Sequence, residues 1–294
     1  METARRLSWR GSFRVVLALF WMSIAVLIIL QLLAPAQLAA TRAQALDDLQ
    51  QRRHSRVIAM IHRQETVSVF GVPVSSSIDI EDSEAVLRAI RATPSEQPID
   101  FILHTPGGLV LAAEQIAHAL VERRGKVTVF VPHYAMSGGT LLALTADEVV
   151  MDPNAVLGPV DPQLGDLPAA SIVKLLELKP RAQISDDMLV LADVAIKARL
   201  QVTAFVTQVL RKRMPQEKAL ALALALSEGR WTHDFPITAE AAKALGLPVS
   251  TEMPHEVYEL MDLYPQSGEG RPSVMYVPQR RPVGTQDSRI TGLH

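Results

Sequence analysis

DFILHTPGGLVLAAEQIAHALVERRGKVTVFVPHYAMSGGTLLALTADEVVM, residues 100–151, decides how this chain folds. Asp100–His104 is a short apolar run of strand length that ends in Thr-Pro-Gly-Gly. Leu109–Arg123 then places Leu109, Ala112, Ala113, Ile116 and Leu120 at helical spacing. Lys126–Pro132 is a second strand-length run, Gly138–Thr145 a short apolar helix, and Val149–Met151 the stub of another strand. Upstream, Val57–His62 reads as a buried strand. Asp79–Arg91 reads as a helix, with Asp82 or Ser83 near its start and Val86, Leu87 and Ile90 on one side. Strand and helix alternating at this spacing predicts right-handed crossovers and a mainly parallel sheet, an α/β fold. Farther on, Ser185–Arg213 predicts one long helix with Met188, Leu191, Ala195, Ala198, Val202, Phe205 and Val209 along a stripe. Pro215–Ser227 predicts a second, Ala-rich helix.

Two turns in the quoted stretch carry chemistry. His104-Thr105-Pro106-Gly107-Gly108 ends a strand and opens a helix, and a glycine pair there lets backbone N–H groups face a ligand with no Cβ in the way. Ala135-Met136-Ser137-Gly138-Gly139 makes the same transition with a serine on its first turn. Side by side at the carboxyl edge of a parallel sheet, the two turns would supply a hydroxyl nucleophile and two amide donors for an oxyanion. The alternative is structural: strand–Gly-Gly–helix turns are packing devices, and serine is a favoured helix N-cap. The pattern is not the G-x-S-x-G elbow, since position 135 is Ala, and neither GxxxxGK[ST] nor GxGxxG occurs.

Composition narrows the classes. With 29 Lys+Arg against 31 Asp+Glu the net charge is −2, without the basic excess of a nucleic-acid binder. No cysteine is present, which excludes disulfides, thiolate metal sites and a Cys nucleophile. The mean hydropathy of +0.17 points to a membrane segment, and Phe13–Pro35 supplies one. Val15–Ala34 is uncharged and about 30 Å long as a helix, enough to cross a hydrocarbon core. Arg5, Arg6, Arg10 and Arg14 precede it, so the positive-inside bias places the amino terminus in the cytosol and the body outside the cytoplasmic membrane. A cleaved signal peptide is the competing reading, with small-residue sites at Ala34-Pro35-Ala36 and Leu38-Ala39-Ala40. The expected organisation is 1–36 cytosolic flank and transmembrane anchor, 37–55 juxtamembrane helix packing against a partner subunit, 56–264 catalytic domain, and 265–294 a Pro/Gly/Arg-rich tail.

HTPGG at 104–108, YAMSGGT at 134–140 and ADEVVMDPNAVLGPVDPQLG at 146–165, in that order, resemble the ClpP-like serine peptidases. Within them the chain is most similar to the serine dehydrogenase proteinase family, relatives of signal peptide peptidase A. The resemblance runs from about Arg56 to Pro248 and includes SRVIAMIHRQE at 55–65 and EGRWT at 228–232. It implies a ClpP/crotonase-like ββα superhelix with Ser137 as nucleophile. It also implies an oxyanion hole from Gly107 or Gly108 together with Gly138.

Ser137 needs a base. The ClpP branch uses Ser-His-Asp, but its histidine would fall near Asp161-Pro162, and no His lies between His133 and His233. His233 reads as a turn residue, His104 and His133 as strand-end residues, Asp161 as a shaper of the substrate groove and Asp152 as a turn former. The signal peptide peptidase branch uses a Ser-Lys dyad. Lys197 follows Val190 and Val194 on one helical row and is the candidate base, with Lys174 next; an ordinary Asp193–Lys197 surface pair is the alternative. The expected function is a membrane-anchored serine endopeptidase acting on extended peptides or membrane-protein remnants. It would work as a homo-oligomer, with no metal, cofactor or nucleic acid. A catalytically inactive membrane scaffold of the same fold is the alternative, and an acyl-CoA enzyme on the crotonase fold a further one.

Overall fold

The computed structural model describes residues 2–62, 67–69, 72–74 and 77–264; the side chains of 2–16, 18, 25–34 and 67–74 fall outside the description. The Pro/Gly/Arg-rich tail from Pro265 lies outside it too.

Five strands form the central sheet: β1 (Arg56–Ile61), β2 (Ile99–His104), β3 (Val127–Val131), β4 (Glu148–Met151) and β5 (Val249–Ser250). They lie in the order β1-β2-β3-β4-β5, and every neighbouring pair is parallel. A strictly sequential order makes each crossover repeat the last, so the chain coils in one direction. Such a sheet has no topological switch point; its sites must come from the turns at the strands' carboxyl ends.

Both faces of the sheet are covered, which is why β2 reads as an unbroken apolar run rather than an alternation. Phe101 and Leu103 of β2, with Val129 and Val131 of β3, point into the main core. Helices α2 (Ile80–Arg91), α3 (Val110–Val121) and α4 (Gly138–Ala143) close it. The intervening Ile102 and Phe130 point to the other face. Asp79 caps α2, accepting from the Asp82 N–H while the Asp82 side chain accepts from Asp79 N–H, a reciprocal cap that fixes where the helix starts.

The second face is covered from both ends of the chain. A single helix, α1, runs from Glu2 to Arg53 and continues through Pro35. Its Leu49 is buried with Ile102, Phe130 and Val150 of the sheet and with Val257 and Leu260 of a carboxyl-terminal helix, His255–Asp262. Arg42 donates from Nε and Nη2 to the Leu263 carbonyl at 2.9 and 2.7 Å and lies over the Tyr264 ring. Arg53 pairs with the buried Asp100 carboxylate, which also accepts from Ser55 Oγ at 2.7 Å. The part of this helix around Ala45, Leu46 and Leu49 therefore packs on its own domain, its apolar side meeting the open face of the sheet. The expected membrane span falls largely on residues whose side chains are outside the description; among the described residues, no helix is long and apolar enough to cross a membrane.

Beyond β4 the chain adds α5 (Ala169–Leu178), α6 (Asp186–Leu210), α7 (Gln216–Ser227) and α8 (Ala239–Ala244). Ser185 caps the long α6 as its hydroxyl accepts from Met188 N–H. The helix buries Ala192, Ala195, Val202, Val206 and Val209. Val202 and Val206 belong to the main core, so the carboxyl-terminal half of α6 lies against the body of the domain.

Candidate active site

The two glycine turns meet. The first leaves β2 and is held by Ile78, whose N–H donates to the Gly107 carbonyl at 2.7 Å and whose carbonyl accepts from Leu109 N–H at 2.8 Å. A Cβ on Gly108 would fall 2.2 Å from the Ile78 oxygen, and Gly107 has φ +105°, so neither position tolerates a side chain. This bridge uses the groups on either side of Gly108 and leaves the Gly108 N–H with no partner among the described residues.

The second turn is strapped to the first where Thr105 N–H donates to Tyr134 O and Met136 N–H to Thr105 O. Ser137 then takes φ 51°, ψ −114°, one of two positive-φ residues other than glycine among those described. Strain of this kind costs about 1–3 kcal/mol and clusters at functional sites. Although Ser137 stands at the N-cap of α4, its side chain makes no capping bond, so the structural alternative of a helix-capping serine fails. A Cβ on Gly107 would lie 2.8 Å from Ser137 Cβ and 3.2 Å from Gly138 N, and one on Gly138 would lie 3.7 Å from Gly108 N. Ser137, Gly107, Gly108 and Gly138 are thus brought together. The Gly138 N–H opens α4 and has no intrahelical acceptor. The hydroxyl is half-buried in a narrow cleft walled by Val110, Leu141, Val160, Val202 and Phe205.

Two constellations that spacing does not reveal stand around these turns. Behind the first, His62 Nδ1 lies 2.7 Å from Thr105 Oγ1 and His62 Nε2 lies 3.1 Å from Asp82 Oδ2, while Gly107 N–H donates to Thr105 Oγ1 at 3.2 Å. All these bonds are satisfied when Nε2–H donates to Asp82 and Thr105 O–H donates to Nδ1, so a carboxylate–imidazole–hydroxyl chain fixes the orientation of the Gly107 peptide. The second lies in the GPVDPQ loop, whose Val160 borders the cleft. The buried Asp161 holds His233 Nδ1 at 2.8 Å and accepts from Gln163 Nε2 at 2.6 Å. His233 is more than a turn residue, since its ring is fixed by a carboxylate 72 positions away in the chain.

The lysines stand elsewhere. Lys197 donates to Asp193 at 2.5 Å across one helical turn, with its side chain 66% exposed. The Val190 and Val194 of its row are themselves exposed, so the strip around it is solvent-facing. Lys197 precedes Phe205 by eight residues, about 12 Å along the helix, and does not border the cleft. Lys174 is exposed on α5. His104, buried at the end of β2, makes ring contacts with Tyr134 and His133, and Asp152 accepts from the Tyr258 hydroxyl at 2.6 Å.

An uncharacterised protein of Methanocaldococcus jannaschii is 54% identical over 260 residues, covering 88% of this chain and 91% of its own. A second uncharacterised protein of that organism is 52% identical over 237 residues, covering 81% of each. Among solved structures, a membrane-bound stomatin-specific protease is 20% identical and superposes with a TM-score of 0.43 over 63% of this chain and 79% of its own. The family model for the ClpP-like SDH-type serine proteinases matches residues 9–289. With that match spanning nearly all of its length, the chain belongs to the ClpP-like SDH-type serine proteinase family, and its class is that of a serine peptidase.

Proposed function

We propose that the chain is a membrane-anchored endopeptidase in which Ser137 attacks the carbonyl of an extended peptide. The oxyanion that forms is held by the N–H groups of Gly108 and Gly138, each worth about 3 kcal/mol of barrier. The base returns the serine proton to the amine as the C–N bond breaks, and water then hydrolyses the acyl-enzyme. The observation that carries this reading is the strained, uncapped Ser137 beside two amides with no partner among the described residues. Its test is labelling by a fluorophosphonate: wild type reacts and Ser137→Ala does not, and equal labelling of the two overturns it.

Two readings assign the base. On the Ser-Lys reading, Lys197 takes the proton, which requires its ammonium to leave Asp193. The second reading assigns His233, favoured by the 2.8 Å bond that commits Nδ1 to Asp161 and leaves Nε2 with no partner among the described residues, the logic of a triad; His233, like Lys197, does not border the cleft, so this reading requires the loop that carries it to move toward Ser137. Labelling rates of Lys197→Ala and His233→Ala decide between them.

For the rest of the molecule we propose that Val15–Ala34 anchors the chain in the cytoplasmic membrane with its amino terminus in the cytosol. Residues 56–264 then form the catalytic domain outside. Carbonate extraction and protease accessibility in sealed vesicles test both statements. A homo-oligomer is supported by the apolar exposure of Leu109, Val110 and Leu111 at the start of α3 and of Val190, Val194 and Leu200 on α6; sedimentation of the full chain in detergent tests it.

A further inference from the structure

Among the described residues, Glu114 is the one charged side chain bordering the Ser137 cleft. It lies on α3, next to Ala113, whose methyl group faces Gly138 across the first turn of α4. Every other described side chain there except Ser137 itself is apolar. Glu114 also borders the wider groove that continues from the cleft, where Pro162, Gln163 and Leu164 face Ala198, Gln201 and Gln208 of α6. Val110, Val202 and Phe205 are common to both spaces, so the two form one trough with Glu114 at the junction.

Among the described residues no Lys, Arg or His borders either space, and Glu114 makes no hydrogen bond or ion pair with any of them. Burial raises its pKa above the ordinary carboxylate value, since the half-buried carboxylate loses solvation without gaining a counter-ion. A position that leaves a carboxylate unpaired costs stability in the free enzyme, and a cation arriving with the substrate offsets that cost. The walls suit the same ligand, because lysine and arginine lay their methylene stems on apolar surface while their heads seek charge.

Resting on the assignment of Ser137 as nucleophile, we infer that Glu114 is the specificity residue of this peptidase, selecting peptides that carry a Lys or Arg side chain close to the scissile bond. An acidic side chain at the same subsite meets a like charge and is rejected. Lysine over leucine is then favoured by about ten- to a hundred-fold in kcat/KM, the range of a charge-assisted hydrogen bond in a partly buried site.

The test uses the full chain in detergent and a set of fluorogenic decapeptides differing at one position as Lys, Leu or Glu. In the wild type one position shows the lysine preference; Glu114→Gln brings the Lys/Leu ratio to about one, and Glu114→Lys turns the preference toward Glu. Thermal melting of each variant confirms that it is folded, and using the ratio within each variant removes any general loss of activity. A wild type that cleaves Lys and Leu peptides equally, or a lysine preference that survives in Glu114→Gln, overturns the inference. Binding keeps the two readings apart: Ser137→Ala should hold the Lys peptide more tightly than the Leu peptide by fluorescence anisotropy, and lose the difference when Glu114→Gln is added. Selective binding without fluorophosphonate labelling of the wild type refutes the nucleophile alone, whereas labelling without selective binding refutes the Glu114 assignment alone.

Discussion

Replacing Ser137 by glycine should make the protein more stable than replacing it by alanine. Both substitutions delete the hydroxyl, so they differ in whether a Cβ must occupy φ 51°, ψ −114°. Holding a residue with a Cβ there costs about 1–3 kcal/mol, and glycine is free of that cost. Against this, glycine gives the unfolded chain more freedom, a loss of about 0.4–1 kcal/mol relative to alanine. The difference left for Ser137→Gly over Ser137→Ala centres on about 1.3 kcal/mol. For a domain of roughly 200 residues that is about 3–5 °C in Tm. Differential scanning calorimetry of the two variants in the same detergent reads it, with fluorophosphonate labelling absent from both. Equal melting temperatures, or a lower one for the glycine variant, would refute the claim that the turn stores strain at the nucleophile.

Gly107→Ala would put a methyl carbon 2.8 Å from Ser137 Cβ and 3.2 Å from Gly138 N, so the second turn must shift and labelling should fall by about a hundredfold, as when the Gly138 donor is displaced; wild-type labelling would mean the turns do not touch. His62→Phe removes the imidazole that links Asp82 to Thr105, and kcat should fall about tenfold with KM little changed, since only the orientation of the Gly107 peptide is lost. Arg53→Met strands the buried Asp100 carboxylate and should cost about 3 kcal/mol, read by denaturant unfolding. Burial first, and then the bond to Asp152, push the Tyr258 hydroxyl up to about 12. A folded-state value above the unfolded one near 10 favours the neutral phenol, so its stabilisation is complete below pH 10 and is lost as pH rises toward 12. Tyr258→Phe should flatten the fall in Tm over that window, and an unchanged slope would remove the assignment.

The first four strands of the sheet and the helices between them were readable because each is long enough to show its period and is bounded by Gly, Pro or charge. Predicted and observed limits differ by one or two residues: Lys126–Pro132 became Val127–Val131, and Leu109–Arg123 became Val110–Val121. β5, two residues long, carries no periodicity to read. Tyr134–Ala135, Val156–Leu157 and Ile237–Thr238, which form a small second sheet beside the site, were hidden for the same reason. Ser137 and the glycines could be singled out because a glycine pair after a strand is a local signal. The supporting groups could not, since Asp82, His62 and Thr105 come from separate elements and Asp161 meets His233 only across a long loop. Glu114 reads as an ordinary polar position on an amphipathic helix, and only Val202 and Phe205 arriving on α6 turn it into a cleft residue.

Local chemistry, then, was set by the linear order of residues: which runs are strands, which turns lack side chains, and where a hydroxyl follows a strand. Tertiary packing decided what that chemistry can engage, because burial, charge pairing and cleft shape depend on neighbours that the chain brings from far away. Lys197 and Glu114 make the contrast plain. A favourable helical row did not keep the lysine out of solvent, and an unremarkable one left the carboxylate half-buried beside Ser137, since exposure belongs to the assembled surface and not to the helix that carries the side chain.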